Sequence, residues 1–311
     1  MKILVIGGTG GLGGHAAIHL RNNGHEISIG SRNPPPEATP MAKMPFVQGD
    51  YMNGDYSSDR LKGFDALVFV AGNDGRHVPA TADMDEHLRR AALEAQPAVM
   101  RGARDAGIKR VVQIGSFYPQ AAPELEAGNY YVQSRRLACE LGRAEGRPGF
   151  DVISINPPFM VGGVPGLPSQ LMDPNAAWAI GDLDGPMFGP SGGTNFMSYN
   201  SLSQAIEGAL MRGEPGKAYL VGDQNLSFAD YLSLFFKAAG KPIHLESRDE
   251  AHPIFPDWLI FQGRGNFISF EPDPKDASLL GYARNDVVNG AAEAVQCYLQ
   301  RRSTAQRAMS A

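Results

Sequence analysis

Short apolar runs alternate with longer segments of helical spacing through the first half of the chain. The runs are rich in β-branched residues and lie at 3–6, 27–29, 45–47, 66–70, 110–114 and 151–155. Helical patterns cover about 83–106 and 126–145. Buried strands that alternate with helices in this way are typical of βαβ units and a parallel sheet. We therefore predict an α/β fold with a doubly wound parallel sheet.

A glycine-rich loop, GGTGGLGG, with three glycines in a G-x-x-G-x-x-G frame, connects the first predicted strand to the first predicted helix. Such glycines let the chain turn tightly, let the backbone approach a diphosphate, and let the helix pack against its strand. The helix N-terminus adds free N–H groups and partial positive charge for the phosphates. The loop therefore predicts a dinucleotide site of the Rossmann type. The residues assigned to this site are Gly7, Thr9, Gly10, Gly11, Leu12 and Gly13.

The pattern changes after the sixth predicted strand, where proline, glycine and aromatic residues become frequent and the periodicity weakens. We predict that residues 1–155 form the dinucleotide-binding domain. Segment 196–240 keeps a regular helix, strand and helix, so we expect it to return to that domain. Segments 156–195 and 241–302 are predicted to form a smaller C-terminal substrate lobe, and 303–311 a flexible tail.

Composition and charge narrow the classes of protein that fit this pattern. The 311 residues are 43% hydrophobic and 20% charged, with a formal net charge of −5, which is typical of a globular protein. An acidic balance gives no electrostatic reason to bind nucleic acid or an anionic membrane, and no apolar run reaches the roughly 18 residues of a membrane span. The two cysteines, Cys139 and Cys297, suit a reducing compartment. We expect a cytoplasmic protein.

The end of the second predicted strand bears on the choice of nicotinamide dinucleotide. An NAD site usually carries Asp or Glu about 20 residues after the glycine loop to bind the ribose hydroxyls. Here the chain reads Gly-Ser31-Arg32-Asn, without an acid, and Arg32 can pair with a 2′-phosphate through its planar guanidinium. We therefore expect NADP(H) in preference to NAD(H). After the third strand, Asp50 and Tyr51 are candidates for the adenine end, and a turn-forming role is the alternative for Asp50.

Further segments follow in the order expected for one superfamily. DALVFVAGN, VVQIGSFYP, YVQSR and NPPFMVGG come after the glycine loop, and FMSYNSLSQAIEGAL and KAYLVGDQNLSF follow later. Together they resemble the extended or atypical short-chain dehydrogenase/reductase superfamily, also called the NAD-dependent epimerase/dehydratase family, and GSRNP is similar to the NADP-binding turn of its reductase-like members. The cofactor contacts that the resemblance adds are Ala71, Gly72, Asn73, Arg135, Asn156, Pro157 and Phe159.

The resemblance also implies a catalytic set. Members carry a Ser or Thr after the fifth strand, a Tyr, and a Lys four residues after the Tyr, and the matching positions here are Ser116, Tyr131 and Arg135. The tyrosine is expected to exchange the proton of the alcohol or carbonyl, and the serine to hydrogen-bond the same oxygen. The cation is expected to hold the ribose and to lower the tyrosine pKa. Tyr130 is the alternative if the register shifts by one residue.

Arginine in place of the usual lysine leaves the role of this site open. Residues at i and i+4 share one helix face, so Tyr131 and Arg135 can converge on one ligand. Bringing a tyrosine pKa from near 10 toward 7 requires roughly 4 kcal/mol, and a nearby cation supplies part of it. Arginine keeps the charge but lacks the compact head of lysine and does not shuttle protons. The hypotheses are catalysis through Tyr131, ribose binding without this chemistry, and a structural surface helix.

The C-terminal part of the chain indicates the class of substrate. Between residues 156 and 290 there are eight Lys plus Arg against fifteen Asp plus Glu. An enzyme for sugar nucleotides must bind a second diphosphate besides that of the cofactor, which calls for several cations. The same region holds both tryptophans and many phenylalanines, some of which belong to the core. Asn-Pro at the sixth strand end is similar to the dihydroflavonol-reductase and hydroxysteroid-dehydrogenase branch. We expect a small or medium, largely uncharged hydrophobic carbonyl or alcohol, contacted by His77, Tyr118, Tyr130 and Phe159.

Two histidines of the first predicted helix could suggest a metal. His15 and His19 lie four residues apart on one face, a spacing that metal sites use. The helix lacks a carboxylate pattern such as H-E-x-x-H, so we predict no metal site.

These observations predict an NADP(H)-dependent oxidoreductase with Tyr131 as proton donor or acceptor. Two alternatives stay open: an epimerase or dehydratase that retains its cofactor, and an NADP(H)-binding regulatory protein, for which Arg135 is the main support. Members of the superfamily often form homodimers through a four-helix arrangement, which would use the helices at 83–106 and 126–145.

Overall fold

A parallel sheet forms the centre of the protein. The structure is a computed structural model that describes residues 1–72, 78 and 81–310. Within them, seven parallel strands pair in the order β10-β6-β5-β4-β1-β2-β3, which confirms the doubly wound Rossmann-type fold. The strands are β1 (Lys2–Ile6), β2 (Glu26–Ser31), β3 (Phe46–Gln48), β4 (Ala66–Phe69), β5 (Arg110–Ile114), β6 (Asp151–Asn156) and β10 (Ala218–Leu220).

Helices cover both faces of the sheet, which is why its strands read as continuous apolar runs. Ile3 and Val5 of β1 face a core formed with α1 (Gly11–Asn22) and α8 (Tyr199–Arg212). Leu4 and Ile6 face the opposite core, which contains α4 (Gln96–Asp105). The helix α6 (Tyr130–Ala144) packs beside α4 and against β6. Alternate residues of one strand therefore bury into different layers.

The helical segment predicted at 83–106 contains one irregular turn. It consists of α3 (Met84–Arg90), a π-helical turn (Ala91–Ala95) and then α4. Pro97 lies in the first turn of α4, where it cannot donate to the carbonyl of Leu93 as an ordinary residue would. A π turn has i→i+5 hydrogen bonds and so holds one more residue than an α turn can. The helical segment is therefore continuous, but the faces of α3 and α4 are rotated relative to each other at this turn.

The C-terminal lobe has its own aromatic core. It contains the sheets β11-β9-β7 and β12-β8 and the helices α7, α9 and α11, whose contacts bury Phe196, Phe228, Tyr231 and Phe235. The elements are β7 (Phe159–Val161), α7 (Met172–Ile180), β8 (Phe188–Pro190), β9 (Gly193–Ser198), β11 (Gln224–Ser227), α9 (Phe228–Ala238), β12 (Glu246–Arg248) and α11 (Val287–Ser310). The helix α10 (Pro274–Leu280) packs instead on α8, in the core beside the main sheet.

Segment 196–240 is divided between the main sheet, with its covering helices, and the C-terminal lobe. Its α8 and β10 pack with the main sheet, whereas its β9, β11 and α9 pack within the C-terminal lobe. The helix α11 continues to Ser310, through the residues expected to form a tail. In the part of the chain that the structure describes, every helix is too short or too polar to cross a membrane. The short helices α2 (Ser58–Leu61) and α5 (Tyr118–Ala121) complete the fold.

A small apolar cluster joins the lobe to the end of the main sheet. Its buried part consists of Phe117, Tyr118, Ala122, Val132 and Ile268, and we call it the seam cluster. The rings of Phe117 and Phe270, one from each body, have centroids 5.9 Å apart. Phe117 lies three residues after the end of β5, so the seam cluster fixes the C-terminal lobe beside the end of that strand.

Candidate active site

A cavity of about 1810 Å³ lies at the carboxyl ends of the parallel strands, between the sheet and the C-terminal lobe. This is the place where doubly wound sheets bind ligands. The predicted residues that line it are Gly7, Thr9, Gly10, Gly11, Leu12, Gly13, Ser31, Arg32, Asp50, Tyr51, Ala71, Gly72, Ser116, Tyr118, Tyr130, Tyr131, Arg135, Pro157 and Phe159. Asn156 does not line the cavity. Asn73 and His77 lie outside the described residues.

The glycine loop needs its glycines for steric reasons. Gly7 has φ +87°, and a Cβ built there would lie 2.7 Å from the backbone nitrogen of Ala71. A Cβ at Gly13 would overlap the carbonyl oxygen of Gly7. The loop therefore holds β1, the end of β4 and the first turn of α1 closer together than side chains permit. This close packing leaves a backbone cradle at the cavity floor.

The N-terminus of α1 opens into that cradle. Its N-cap is Gly10, which offers no side-chain hydrogen bond, and its first turn has no acidic residue. The first N–H groups of an α-helix lack acceptors within the helix and carry partial positive charge. Gly11, Leu12 and Gly13, which provide such groups, line the cavity. These residues fit the diphosphate of a dinucleotide.

The far end of the cavity carries the residues predicted for the adenosine. Arg32 is exposed and lines the cavity, and its carbonyl accepts a hydrogen bond from Gln48 Nε2 at 3.0 Å. Asp50 Oδ1 accepts from the backbone N–H of Met52 at 2.9 Å, so this carboxylate forms a turn as well as part of the wall. Burial raises the pKa of Tyr51, and the charge of Arg135 acts against that effect.

The three predicted catalytic residues meet at the same cavity. Asn129 Oδ1 accepts from the N–H of Val132 at 3.3 Å and caps α6, which places Tyr131 in its first turn. Tyr131 and Arg135 both line the cavity, as expected for neighbours on one helix face. Ser116 follows β5, is 8% exposed, and lines the cavity as well.

Arg135 is held on the backbone at the end of β5. Its Nη2 donates to the carbonyl oxygens of Ile114 at 2.9 Å and Gly115 at 3.0 Å. Its Nε is buried and has no hydrogen-bond partner among the described residues. Buried donors are nearly always satisfied, so this N–H suits an acceptor on a bound ligand. The guanidinium ties α6 to the strand that carries Ser116.

Asn156 was predicted to contact the cofactor, but its side chain lies beneath the cavity. It is 4% exposed, and its Nδ2 donates to Gln120 Oε1 at 2.5 Å. Its Oδ1 accepts from Cys139 Sγ at 3.6 Å and occupies the place of the Cβ that Gly115 lacks. The side chain at the end of β6 therefore connects α5 and α6, and the next residue, Pro157, reaches the cavity instead.

Aromatic residues of the C-terminal lobe complete the wall, and sequence reasoning did not assign them to the site. Phe261 stacks on Tyr131 with ring centroids 4.5 Å apart and an interplanar angle of 6°. Trp258 lines the mouth and is 60% exposed. Tyr199, at the start of α8, lies next to Gly11 of the glycine loop. Only the aromatic richness of the lobe signalled these residues beforehand.

The two histidines of α1 serve helix packing. His19 Nε2 lies 2.8 Å from Glu207 Oε2, and His15 Nδ1 lies 2.7 Å from Ser203 Oγ, both across the contact with α8. Over the described residues, no group of three or more His, Cys, Asp and Glu side chains could hold a metal ion.

Sequence comparison identifies a matching family. Residues 3–170 match the profile of a family described as the NAD dependent epimerase/dehydratase family. No curated protein sequence gives a significant match.

Several solved structures are similar over nearly the whole chain. A double mutant of DesIV, a dTDP-glucose 4,6-dehydratase from Streptomyces venezuelae with NAD and DAU bound, has a TM-score of 0.75 at 19% identity, covering 97% of this chain and 98% of its own. The UDP-glucose 4-epimerase from Bifidobacterium longum, in complex with NAD+ and UDP, has a TM-score of 0.73 at 17% identity, covering 97% and 99%. The gox2253 structure has a TM-score of 0.73 at 21% identity, covering 96% and 98%. At these identities the likeness establishes the fold.

Proposed function

Because the chain belongs to the NAD dependent epimerase/dehydratase family, whose members are enzymes that use a nicotinamide dinucleotide, we propose that it is an NADP(H)-dependent oxidoreductase. It transfers hydride to or from a small or medium, largely uncharged hydrophobic carbonyl or alcohol. The glycine loop and the N-terminus of α1 hold the diphosphate, and Arg32 binds the 2′-phosphate.

The wall contributed by the C-terminal lobe carries this proposal. From Pro157 onward, none of the described side chains that line the cavity is charged. The wall consists of aliphatic, aromatic, glycine and proline residues with Ser169 and Gln170 as polar exceptions. A nucleotide sugar would place its diphosphate, the second in the site besides that of the cofactor, against this wall without a cation to bind it. An apolar pocket with few polar groups suits an uncharged substrate instead.

The residues on the opposite wall provide the acid–base chemistry. A bound nicotinamide supplies the hydride donor or acceptor. The Tyr131 hydroxyl gives its proton to the substrate oxygen, or takes one from it, and the Ser116 hydroxyl hydrogen-bonds to the same oxygen. Arg135 keeps a positive charge one helical turn away, which favours the phenolate form of Tyr131. Since arginine does not release its proton, the proton of the phenol is replaced by a route that does not pass through the guanidinium.

A second candidate is an epimerase or dehydratase that retains its nicotinamide cofactor through each turnover. The family match favours it, as do the similar structures of a dTDP-glucose 4,6-dehydratase and a UDP-glucose 4-epimerase. The uncharged lobe wall argues against a nucleotide sugar as its substrate.

A substrate panel distinguishes the two candidates. We expect the purified protein to consume NADPH with uncharged hydrophobic ketones or aldehydes, and not with UDP-glucose or dTDP-glucose, because only the former match the lobe wall. Absorbance of NADPH measures the reaction, and the cofactor released from denatured protein is identified by chromatography. Tightly bound cofactor, together with no net NADPH consumption on any carbonyl, would support the epimerase or dehydratase instead.

Arg32 provides the test of cofactor preference. We expect Arg32→Ser to weaken NADPH binding by about 10- to 100-fold and to leave NADH binding nearly unchanged, because a charge-assisted hydrogen bond contributes about 1.5–3 kcal/mol. Fluorescence titration with each dinucleotide measures both dissociation constants. Arg147→Ser, at an exposed arginine that does not line the cavity, is the matched control. Equal losses for NADPH and NADH would contradict the assignment of Arg32 to the 2′-phosphate.

A further inference from the structure

The C-terminal lobe brings residues 258–262 against the catalytic helix, and we call them the latch segment. They begin in a 3-10 turn, Asp257–Leu259, and continue into a loop in contact with β9. Trp258, Leu259 and Phe261 line the cavity, whereas Ile260 and Gln262 do not. Three side chains of the latch segment therefore face the cavity, and the other two face the protein interior.

The inward side chains fix the latch segment on both bodies. Ile260 is 4% exposed and packs in the aromatic core of the lobe. Gln262 is 8% exposed, and its Nε2 donates to the carbonyl of Gly193 in β9 at 3.1 Å. The hydroxyl of Tyr118, which belongs to α5, donates to Gln262 Oε1 at 3.2 Å. One buried amide thus connects the lobe to the segment that follows β5.

Phe261 lies between these two anchors and contacts the catalytic tyrosine. Its ring is nearly parallel to that of Tyr131, at 6° and 4.5 Å between centroids, and it meets Tyr118 edge-on at 5.6 Å and 79°. The ring remains 39% exposed toward the cavity. Because Ile260 and Gln262 already fix the loop, the stack on Tyr131 is the main contact that the phenyl ring adds.

We infer that Phe261 is a positioning residue for the Tyr131 phenol, supplied by the C-terminal lobe. Tyr131 lies in the first turn of α6, where its ring packs against the seam cluster and stacks on Phe261. A parallel aromatic neighbour restricts the ring plane, and catalytic groups must be held to within about 0.5 Å of their productive geometry. Trp258 and Leu259 extend the same surface, so the wall that orients the phenol also contacts the apolar part of the substrate. The inference rests on the proposed function.

Three variants test this role by kinetics. Phe261→Ala is expected to lower kcat by about 10- to 100-fold, since a misplacement of about 1 Å can cost roughly 10²-fold, and to leave the KM for NADPH unchanged. Phe261→Tyr keeps a flat ring and restores kcat to within about twofold of the wild type. Phe267→Ala removes a phenyl ring of the same lobe that is 47% exposed and does not line the cavity, and kcat stays within about twofold.

The pH profile of kcat separates positioning from loss of stability. In Phe261→Ala the limb of the profile that is assigned to the phenol moves, because the position of the phenol relative to the substrate oxygen is no longer fixed. Phe267→Ala leaves that limb in place. An unchanged kcat and pH profile in Phe261→Ala, in an active enzyme, would overturn the inference.

A readout that does not need turnover distinguishes failure of this inference from failure of the proposed function. Ring signals of Tyr131, assigned in labelled protein with Tyr131→Phe, carry an upfield ring-current shift from Phe261. We expect this shift to disappear in Phe261→Ala and to persist in Phe267→Ala. If the wild type turns over none of the carbonyls, the proposed function fails, and the ring signals still decide whether Phe261 holds the phenol. Signals that do not move in Phe261→Ala would show that it does not.

Discussion

Replacing Tyr131 by phenylalanine is expected to lower kcat on the best carbonyl substrate by about a hundredfold or more, because the general acid–base group is removed. The phenyl ring keeps the stack on Phe261 and the packing of the seam cluster, so the fold is preserved. Binding of NADPH is expected to remain within about twofold, as for a substitution that disturbs no buried contact. Steady-state kinetics and fluorescence titration measure the two quantities on one preparation.

Two further tyrosine variants make this result interpretable. Tyr298 lies on α11 and does not line the cavity, and its hydroxyl donates to Asp182 Oδ2 at 3.3 Å. Tyr298→Phe removes this hydroxyl and is expected to leave kcat unchanged. Tyr130→Phe tests the neighbouring position, and a large loss there but not at Tyr131 would show that the register is shifted by one. Intact function in both Tyr130→Phe and Tyr131→Phe would instead favour a regulatory protein that binds the dinucleotide without chemistry.

Gly7→Ala is expected to weaken NADPH binding by about a hundredfold or more and to reduce the free energy of unfolding by about 2–5 kcal/mol. The left-handed backbone alone costs an alanine about 1–2 kcal/mol, and overpacking adds roughly 1–3 kcal/mol. The new Cβ would lie 2.7 Å from the backbone nitrogen of Ala71, so the loop must shift at the place proposed for the diphosphate. Urea unfolding and fluorescence titration measure the two effects.

Gly24→Ala provides the matched control for the loop. Gly24 has φ +85°, close to that of Gly7, but a Cβ there would meet nothing within 4 Å. The variant is expected to show the conformational cost of about 1–2 kcal/mol without any change in NADPH affinity. Equal losses of affinity in the two variants would show that the cradle at Gly7 has no part in binding the dinucleotide.

The fold and the cofactor end of the site were predictable because their signals are local. Strand β1, the glycine loop and α1 lie within the first 22 residues, and each needs particular residue types for its own geometry. The spacing of Tyr131 and Arg135 on one helix is equally local. These features depend on backbone conformation and helix period, which a sequence displays directly.

The remaining features depend on contacts between distant parts of the chain. Phe261 reaches Tyr131 across 130 positions of sequence, and nothing in the neighbourhood of either residue indicates the contact. Asn156 lies at a strand end, where its side chain could point into the cavity or beneath it. Its hydrogen bond to Gln120 shows that it lies beneath the cavity. Helix α9 has a regular pattern that fits either body, and the aromatic residues of the lobe decided where it packs. Tertiary packing thus determined the positions of these residues and of α9, which the local sequence pattern did not specify.

Arg135, at the position where lysine is usual, has a structural role in this site. Two donors of one planar guanidinium group can bond neighbouring acceptors at once, and Arg135 Nη2 contacts the carbonyls of both Ile114 and Gly115. The residue therefore couples the strand that carries Ser116 to the helix that carries Tyr131. In the proposed reaction, proton exchange is left to groups other than this guanidinium.

The π turn at Ala91–Ala95 influences which side chains of α3 face the cavity. Met84 and Leu88 line the cavity from the part of the helix before this turn, and α4 packs under the sheet from the part after it. Each residue of a regular α-helix rotates the chain by about 100°. With an ordinary turn at this point and α4 in its present place, the cavity-lining residues of α3 would be rotated by about a quarter of a turn around the helix axis. The one extra residue of the π turn thus allows a continuous helical segment to present one face to the cavity and a different face to the sheet.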